Sequence, residues 1–237
     1  MAKYTYWNKW TTPIFESEDP NYENIRDGAI RESLEYYNSE DRVEVAPGLK
    51  GRLYESEFDF FKKAREFGYQ SLISIEDFIH DQFKICFLDY FQNGYWSDDT
   101  SPEKLVDVTE YTLDVDIKES WVHVANGEGS WHGTHNHPMT SWGAIYYIQM
   151  DDTKEENGGQ NSFSQPFDNM YTDFGNFFQH DYSLFTLQPQ NGKVVYFPAN
   201  LWHNAKPFYG TGNRIVVAAN ICVHKKIIPP GGTGIIR

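Results

Sequence analysis

Cysteine is scarce: Cys86 and Cys222 are the two in 237 residues. Two distant thiols with no spacing pattern give no disulfide framework. They read as packing residues in a reducing compartment. Positive charge is also short, with 20 Lys and Arg against 34 Asp and Glu and a net charge of −14. A nucleic-acid partner needs clustered basic residues to meet its phosphates, so that partner is not expected. An anionic membrane surface is disfavoured for the same reason, and the acidic surplus serves solubility. Long apolar runs are missing too. The opening MAKYTYWNKWTTPIF has no apolar stretch of signal-peptide length, and nothing approaches the roughly 20 apolar residues of a membrane span. The expectation is a soluble, cytoplasmic protein. The chain carries no internal repeat and no low-complexity block.

Aromatic residues are plentiful at 17%, with 16 Tyr, 17 Phe and 7 Trp, so the chain can build a core despite its polar average. A single domain over 1–237 is expected, because nothing linker-like divides it. Residues 1–107 read as mainly helical. Asn21 to Tyr37 places Ile25, Ala29, Ile30, Leu34 and Tyr37 at helical spacing, and Phe58 to Phe67 is a second candidate. Ser74-Ile-Glu-Asp77 resembles a capping box ahead of Phe78, Ile79, Phe83, Cys86, Phe87 and Tyr90, with Asn93-Gly94 as the stop.

The period changes near residue 108. In Tyr111 to Lys118 apolar residues alternate with Asp114, Asp116 and Lys118, which is a strand pattern. Further strands are expected at Trp121–Ala125, Gly143–Met150, Asn161–Ser164, Ser183–Leu187, Lys193–Phe197 and Ile215–Val223. Turns at Asn126-Gly127, Gly158-Gly159 and Asn191-Gly192 separate several of them. Short strands with regular turns indicate a barrel or jelly roll over 108–228, with the helices covering one sheet and a tail at 229–237. The segment Gln165 to Asp181, long, aromatic and acidic, suits either a packed surface loop or a substrate lid.

Positions 132 to 138 read HGTHNHP. On an extended chain His135 and His137 share a face, so two imidazoles can converge on one metal ion, and Pro138 ends the ladder. Alone, such a pair is more simply a polar loop. The segment Leu187 to Arg214 changes that balance. A turn at Asn191-Gly192 feeds the apolar strand Val194 to Phe197, Pro198 ends it, His203 follows, and Arg214 opens another apolar strand.

With these elements in order, residues Trp121 to Val223 resemble the iron(II)- and 2-oxoglutarate-dependent oxygenases, closest to a branch with His-x-His-Pro shortly before a Tyr-Tyr strand. The resemblance implies an α+β fold with a double-stranded β-helix (jelly-roll) core flanked by N-terminal helices. It implies Fe(II) held by His135, His137 and His203, with 2-oxoglutarate and O2 as cosubstrates. It also implies that Arg214 holds the far carboxylate of 2-oxoglutarate, a role that suits its planar fork. Tyr147 matches a tyrosine that contacts the same carboxylate, with core packing as the alternative reading. The implied reaction is hydroxylation of a small molecule, amino acid or peptide with release of succinate and CO2.

The sequence departs from that family at position 137, where Asp or Glu is usual. Three readings are open: His137 is the third ligand; it stands behind the ligands while water or substrate completes the set; or a carboxylate such as Asp151 reaches in. The first is preferred, because residues i and i+2 already converge. Val216 stands where a serine often follows the arginine. By strand parity His132 points away from His135 and is read as structural. His80, His123, His180 and His224 have no partner pattern, and Asn220 shares the face of Arg214. A cupin-like three-His metalloenzyme without 2-oxoglutarate is an alternative, though it leaves Arg214 idle and lacks the usual Glu after His-x-His. A non-catalytic jelly-roll binding module is another.

Overall fold

The alternation that begins near residue 111 becomes two antiparallel sheets. The computed structural model describes residues 12–39, 53–55, 58–90, 111–150, 152, 154–164 and 184–227. The 165–181 segment, the Asn93-Gly94 stop, Asp151, His180 and the 229–237 tail lie outside them. Ten strands are described: β1 Phe15–Glu18, β2 Leu53–Glu55, β3 Tyr111–Asn126, β4 Ser130–His135, β5 Trp142–Gln149, β6 Asn161–Ser164, β7 Leu184–Leu187, β8 Lys193–Pro198, β9 His203–Phe208 and β10 Asn213–Ile227. A six-stranded sheet runs β1-β8-β5-β10-β3-β2, and a four-stranded sheet runs β4-β9-β6-β7. The expected jelly roll is therefore present, and the two strands expected at 111–118 and 121–125 form one continuous strand, β3.

Strand β10 is central to the larger sheet, paired antiparallel with β3 and β5. Its alternation serves two compartments. Ile215, Val217, Ala219 and Ile221 join the core beneath the helices, with Ala144, Tyr146 and Ile148 of β5 and Val122 and Val124 of β3. Val216 joins Ile145, Tyr147, Phe163, Val195 and Phe197 in a smaller core between the sheets. Because side chains on a strand alternate, one sheet can be apolar on both faces and still separate helices from a functional cavity.

Three helices, α1 Tyr22–Tyr37, α2 Phe60–Phe67 and α3 Gln70–Asp89, cover the large sheet. Buried tyrosines tie α1, α3 and the turn before α1 to the sheet. The Tyr22 hydroxyl donates to the Ile148 carbonyl at 2.8 Å, Tyr196 donates to the Ile79 carbonyl at 3.0 Å, and Tyr146 donates to Asp19 Oδ2 at 2.8 Å. Burial of the Tyr146 and Tyr196 phenols pushes both pKa values up, so these donors keep their protons. The start of α3 corrects the sequence reading. The helix begins at Gln70, a turn before the expected box, and Ser74 lies inside it with its Oγ on the Gln70 carbonyl. Its first amides are satisfied from another helix: Glu32 Oε2 of α1 accepts from Ser71 N at 3.0 Å and Leu72 N at 3.1 Å. A buried carboxylate at a helix N-terminus meets both the orphan amides and the helix dipole.

Candidate metal centre

Strand β9, which the sequence reading lacked, supplies one wall of the site. Pro198 closes β8, a short turn follows, and His203 opens β9. His203 pairs directly with His135 at the end of β4. His137 follows two residues later, outside the strand, with its amide on the Ala199 carbonyl at 2.9 Å. The three imidazoles come together: their ligand nitrogens lie within 4.8 Å of one another. Ring centroids are 4.2 Å apart for His135 and His203, 4.9 Å for His137 and His203, and 5.2 Å for His135 and His137. Gly143 makes room here, since a Cβ would come within 2.5 Å of the Phe197 ring and 3.1 Å of His137 Nδ1.

Backbone carbonyls choose the tautomers. His135 Nδ1 lies 2.7 Å from the Gly133 carbonyl and His203 Nδ1 lies 3.0 Å from the Leu201 carbonyl. A carbonyl oxygen only accepts, so each Nδ1 carries the hydrogen and each Nε2 keeps its lone pair for a ligand. Burial, then the neighbouring His135, lowers the His203 pKa to about 3, so this imidazole is neutral at physiological pH. Neutral imidazoles held in this way suit a divalent transition metal.

The same cavity is lined by Arg214, which is 2% exposed. Its Nε donates to the Gly159 carbonyl at 2.9 Å and Nη2 to Asn161 Oδ1 at 3.0 Å. Neither acceptor is charged, and among the described residues no acidic side chain pairs with the guanidinium. Burial lowers its pKa to about 10, with the buried Tyr147 phenol opposing that shift, so it stays a cation. Tyr147 is fully buried behind this group: its hydroxyl donates to the same Asn161 Oδ1 at 3.0 Å, and Asn161 Nδ2 donates to the Asn204 carbonyl at 3.2 Å. The Gly158-Gly159 turn that places these acceptors needs glycine. Both residues have positive φ, and a Cβ on Gly158 would sit 1.8 Å from the Pro207 carbonyl oxygen.

Three expectations change. His132 faces the cavity, contrary to its parity, with its ring centroid 4.1 Å from that of His135. Register shifts on both sides of it, between Ser130 and His132 and between His132 and His135, break the alternation of β4. Burial and the surrounding imidazoles lower its pKa to about 2. His123 also lines the cavity, 4.9 Å from His132. Asn220 lies off the cavity: a register shift follows it, and its Nδ2 donates to Glu119 Oε2 at 2.6 Å. Asn161 and Trp121 were not singled out in the sequence. Trp121 and His123 alternate with the helix-facing Val122 and Val124, and that parity was the available signal. His80 is satisfied by the Val115 carbonyl at 3.1 Å, and His224 is exposed.

Residues 119–220 match the family described as "Putative 2OG-Fe(II) oxygenase". No curated protein sequence matches the chain. Its fold is similar to a prolyl hydroxylase from Trichoplax adhaerens in complex with a hypoxia inducible factor oxygen degradation domain peptide fragment. The TM-score is 0.59 at 11% identity, over 90% of this chain and 84% of that one. It is similar to a Pseudomonas putida prolyl-4-hydroxylase, with a TM-score of 0.52 at 12% identity, over 90% and 93%. It is also similar to the epimerase SnoN in complex with Fe3+, alpha ketoglutarate and nogalamycin RO, with a TM-score of 0.55 at 12% identity, over 93% and 83%. At these identities the likeness is one of fold.

Proposed function

We propose that this protein is an iron(II)- and 2-oxoglutarate-dependent oxygenase that hydroxylates a small molecule, amino acid or peptide, a reading supported by the match of residues 119–220 to the family described as "Putative 2OG-Fe(II) oxygenase". One observation carries the reading: a single cavity holds three converging imidazoles and a buried guanidinium with no acidic partner among the described residues. A buried cation is costly unless an anion meets it. A dicarboxylate with a 2-keto acid at one end answers both features, since one end can chelate a metal and the other can meet Arg214.

His135, His137 and His203 would hold the iron, with the Gly133 and Leu201 carbonyls fixing two of the rings. Arg214 would take the far carboxylate of 2-oxoglutarate. Gly159 and Asn161 hold two sides of its fork, and Tyr147 holds Asn161, so the cation is aimed before the ligand arrives. Phe163 and Phe197 pack against His203, with centroids at 5.9 Å and 4.5 Å, and keep water from that side of the centre. When bound, iron(II) with 2-oxoglutarate and O2 supplies the oxidising power, and succinate and CO2 are released. His137 in place of a carboxylate leaves the centre one unit more positive, which alters its affinity for metal and anions. A peptide accompanies the Trichoplax adhaerens neighbour and nogalamycin RO accompanies SnoN, so both substrate classes stay within the proposal.

The three-imidazole set also suits a metalloenzyme that does without 2-oxoglutarate, but that reading gives the buried Arg214 nothing to do. Succinate formation from 2-oxoglutarate, with iron(II) and ascorbate, separates the two. Arg214→Ala is expected to raise the KM for 2-oxoglutarate by at least about 30-fold, the scale of truncating a buried charge partner, and to leave metal binding intact. His137→Ala is expected to weaken iron binding. Unchanged iron affinity would remove His137 from the ligand set.

A further inference from the structure

The cavity has polar lining that the metal and 2-oxoglutarate leave unused. Trp121, His123 and His132 form a cluster beside His135: Trp121 and His123 have centroids 6.3 Å apart, His123 and His132 4.9 Å, and His132 and His135 4.1 Å. Trp121 is 4% exposed, and its ring is held between Phe58, at 5.3 Å, and His137, at 5.4 Å. Its indole N–H is buried and has no hydrogen-bond partner among the described residues. An orphaned buried donor is costly, and an indole can only donate, so its natural partner is a ligand acceptor. His132 reaches the cavity only because the register of β4 shifts on both sides of it. Such irregularities next to a site re-aim side chains.

Charge sharpens the class of that acceptor. The chain is strongly acidic, at −14, yet among the described residues no Asp or Glu lines this cavity. The three imidazoles bring no negative charge to a bound divalent metal, and Arg214 adds a cation. The 2-oxoglutarate dianion offsets two of these three charges and leaves one positive charge in a poorly screened site.

We infer that Trp121, His123 and His132 form a subsite for an oxyanion of the substrate, so that the molecule oxidised is an acid carrying a carboxylate. The inference rests on the oxygenase reading for the charge balance and on the orphaned indole for the place. The indole N–H and the imidazoles donate to the carboxylate oxygens, and the last positive charge of the loaded cavity is neutralised.

Acetate and acetamide are near-isosteres that differ in charge, and both are small enough to enter any carboxylate site. Zinc-loaded protein, which cannot turn over, is saturated with 2-oxoglutarate and titrated with each by ligand-observed NMR and calorimetry. Acetate is expected to bind about tenfold more tightly than acetamide, and Trp121→Phe, which keeps the ring and removes the donor, is expected to erase most of that difference. His132→Asn gives a second variant, and retained binding of 2-oxoglutarate reports that each variant is folded. Equal affinity for the two probes overturns the inference, as does an acetate preference untouched by both substitutions. Failure of wild-type protein to take up 2-oxoglutarate overturns the oxygenase reading instead, and the acetate–acetamide comparison on zinc-loaded protein then still tests the subsite.

Discussion

At the scale of single residues, Asn161 decides how much of the Arg214 charge is left for a ligand. It accepts from Arg214 and from Tyr147 with one uncharged oxygen. An acid in the same place would satisfy the guanidinium within the protein. Asn161→Asp is therefore expected to move two measurements in opposite directions. The melting temperature of the metal-free protein rises, because a buried cation gains a partner, while the affinity for 2-oxoglutarate falls by about tenfold or more, because the ligand loses its cation. Thermal scans and calorimetry on one sample read both, and a fall in both would assign Asn161 a purely structural part. The sequence made Arg214 legible, since an arginine at the head of an apolar strand after a histidine forms a pattern. Asn161 was not legible, because its role depends on Arg214, Tyr147 and the Gly158-Gly159 turn meeting in space.

Among the elements, the starts of α1 and α2 and most strands after residue 111 were read to within a few residues, while β1, β2 and β9 were not expected. Short runs bounded by turn residues are a local signal, and the strands Asn161–Ser164 and Lys193–Pro198 match the expected ones almost residue for residue. Strand β9 escaped because Lys206 and Pro207 interrupt its alternation, and its burial is set by β4 and β6 on either side. His132 was misassigned for a related reason. Parity predicts a face only while the register holds, and β4 shifts twice. Helix α3 was placed a turn late because its N-terminal partner, Glu32, lies on another helix. Glu32→Ala should therefore act on α3 more than on α1. A loss of about 2 kcal/mol is expected from removing the carboxylate acceptor of two helix-terminal amides, measured as a lower urea midpoint with an unchanged slope. Amide exchange should quicken first at Ser71 and Leu72.

For the whole molecule, the six-stranded sheet is a shared wall, with helices packed on one face and the cluster of imidazoles on the other. Acid should attack this arrangement from the metal side. The pKa values of His203 and His132 are lowered in the fold, to about 3 and about 2. The unfolded chain, with ordinary histidines near 6.5, binds more protons than the native state between those values and 6.5. Stability of the metal-free protein is thus full above about pH 6.5 and falls as the pH drops below it, by up to about 1.4 kcal/mol per pH unit for each such histidine. Urea unfolding at pH 7 and pH 5, above most carboxylate titrations, checks the sign. The pairing of β4 with β9 has a consequence of a different kind. His135 and His203 are register partners, and the neighbouring contact between Thr134 and Asn204 spans 70 residues of chain. Closing so long a loop is slow and entropically costly. A metal held as proposed between the two strands would bind only after the chain has made that closure. It would therefore act as a latch: the refolding rate is expected to stay that of the bare polypeptide, while the bound ion slows the escape from the native state.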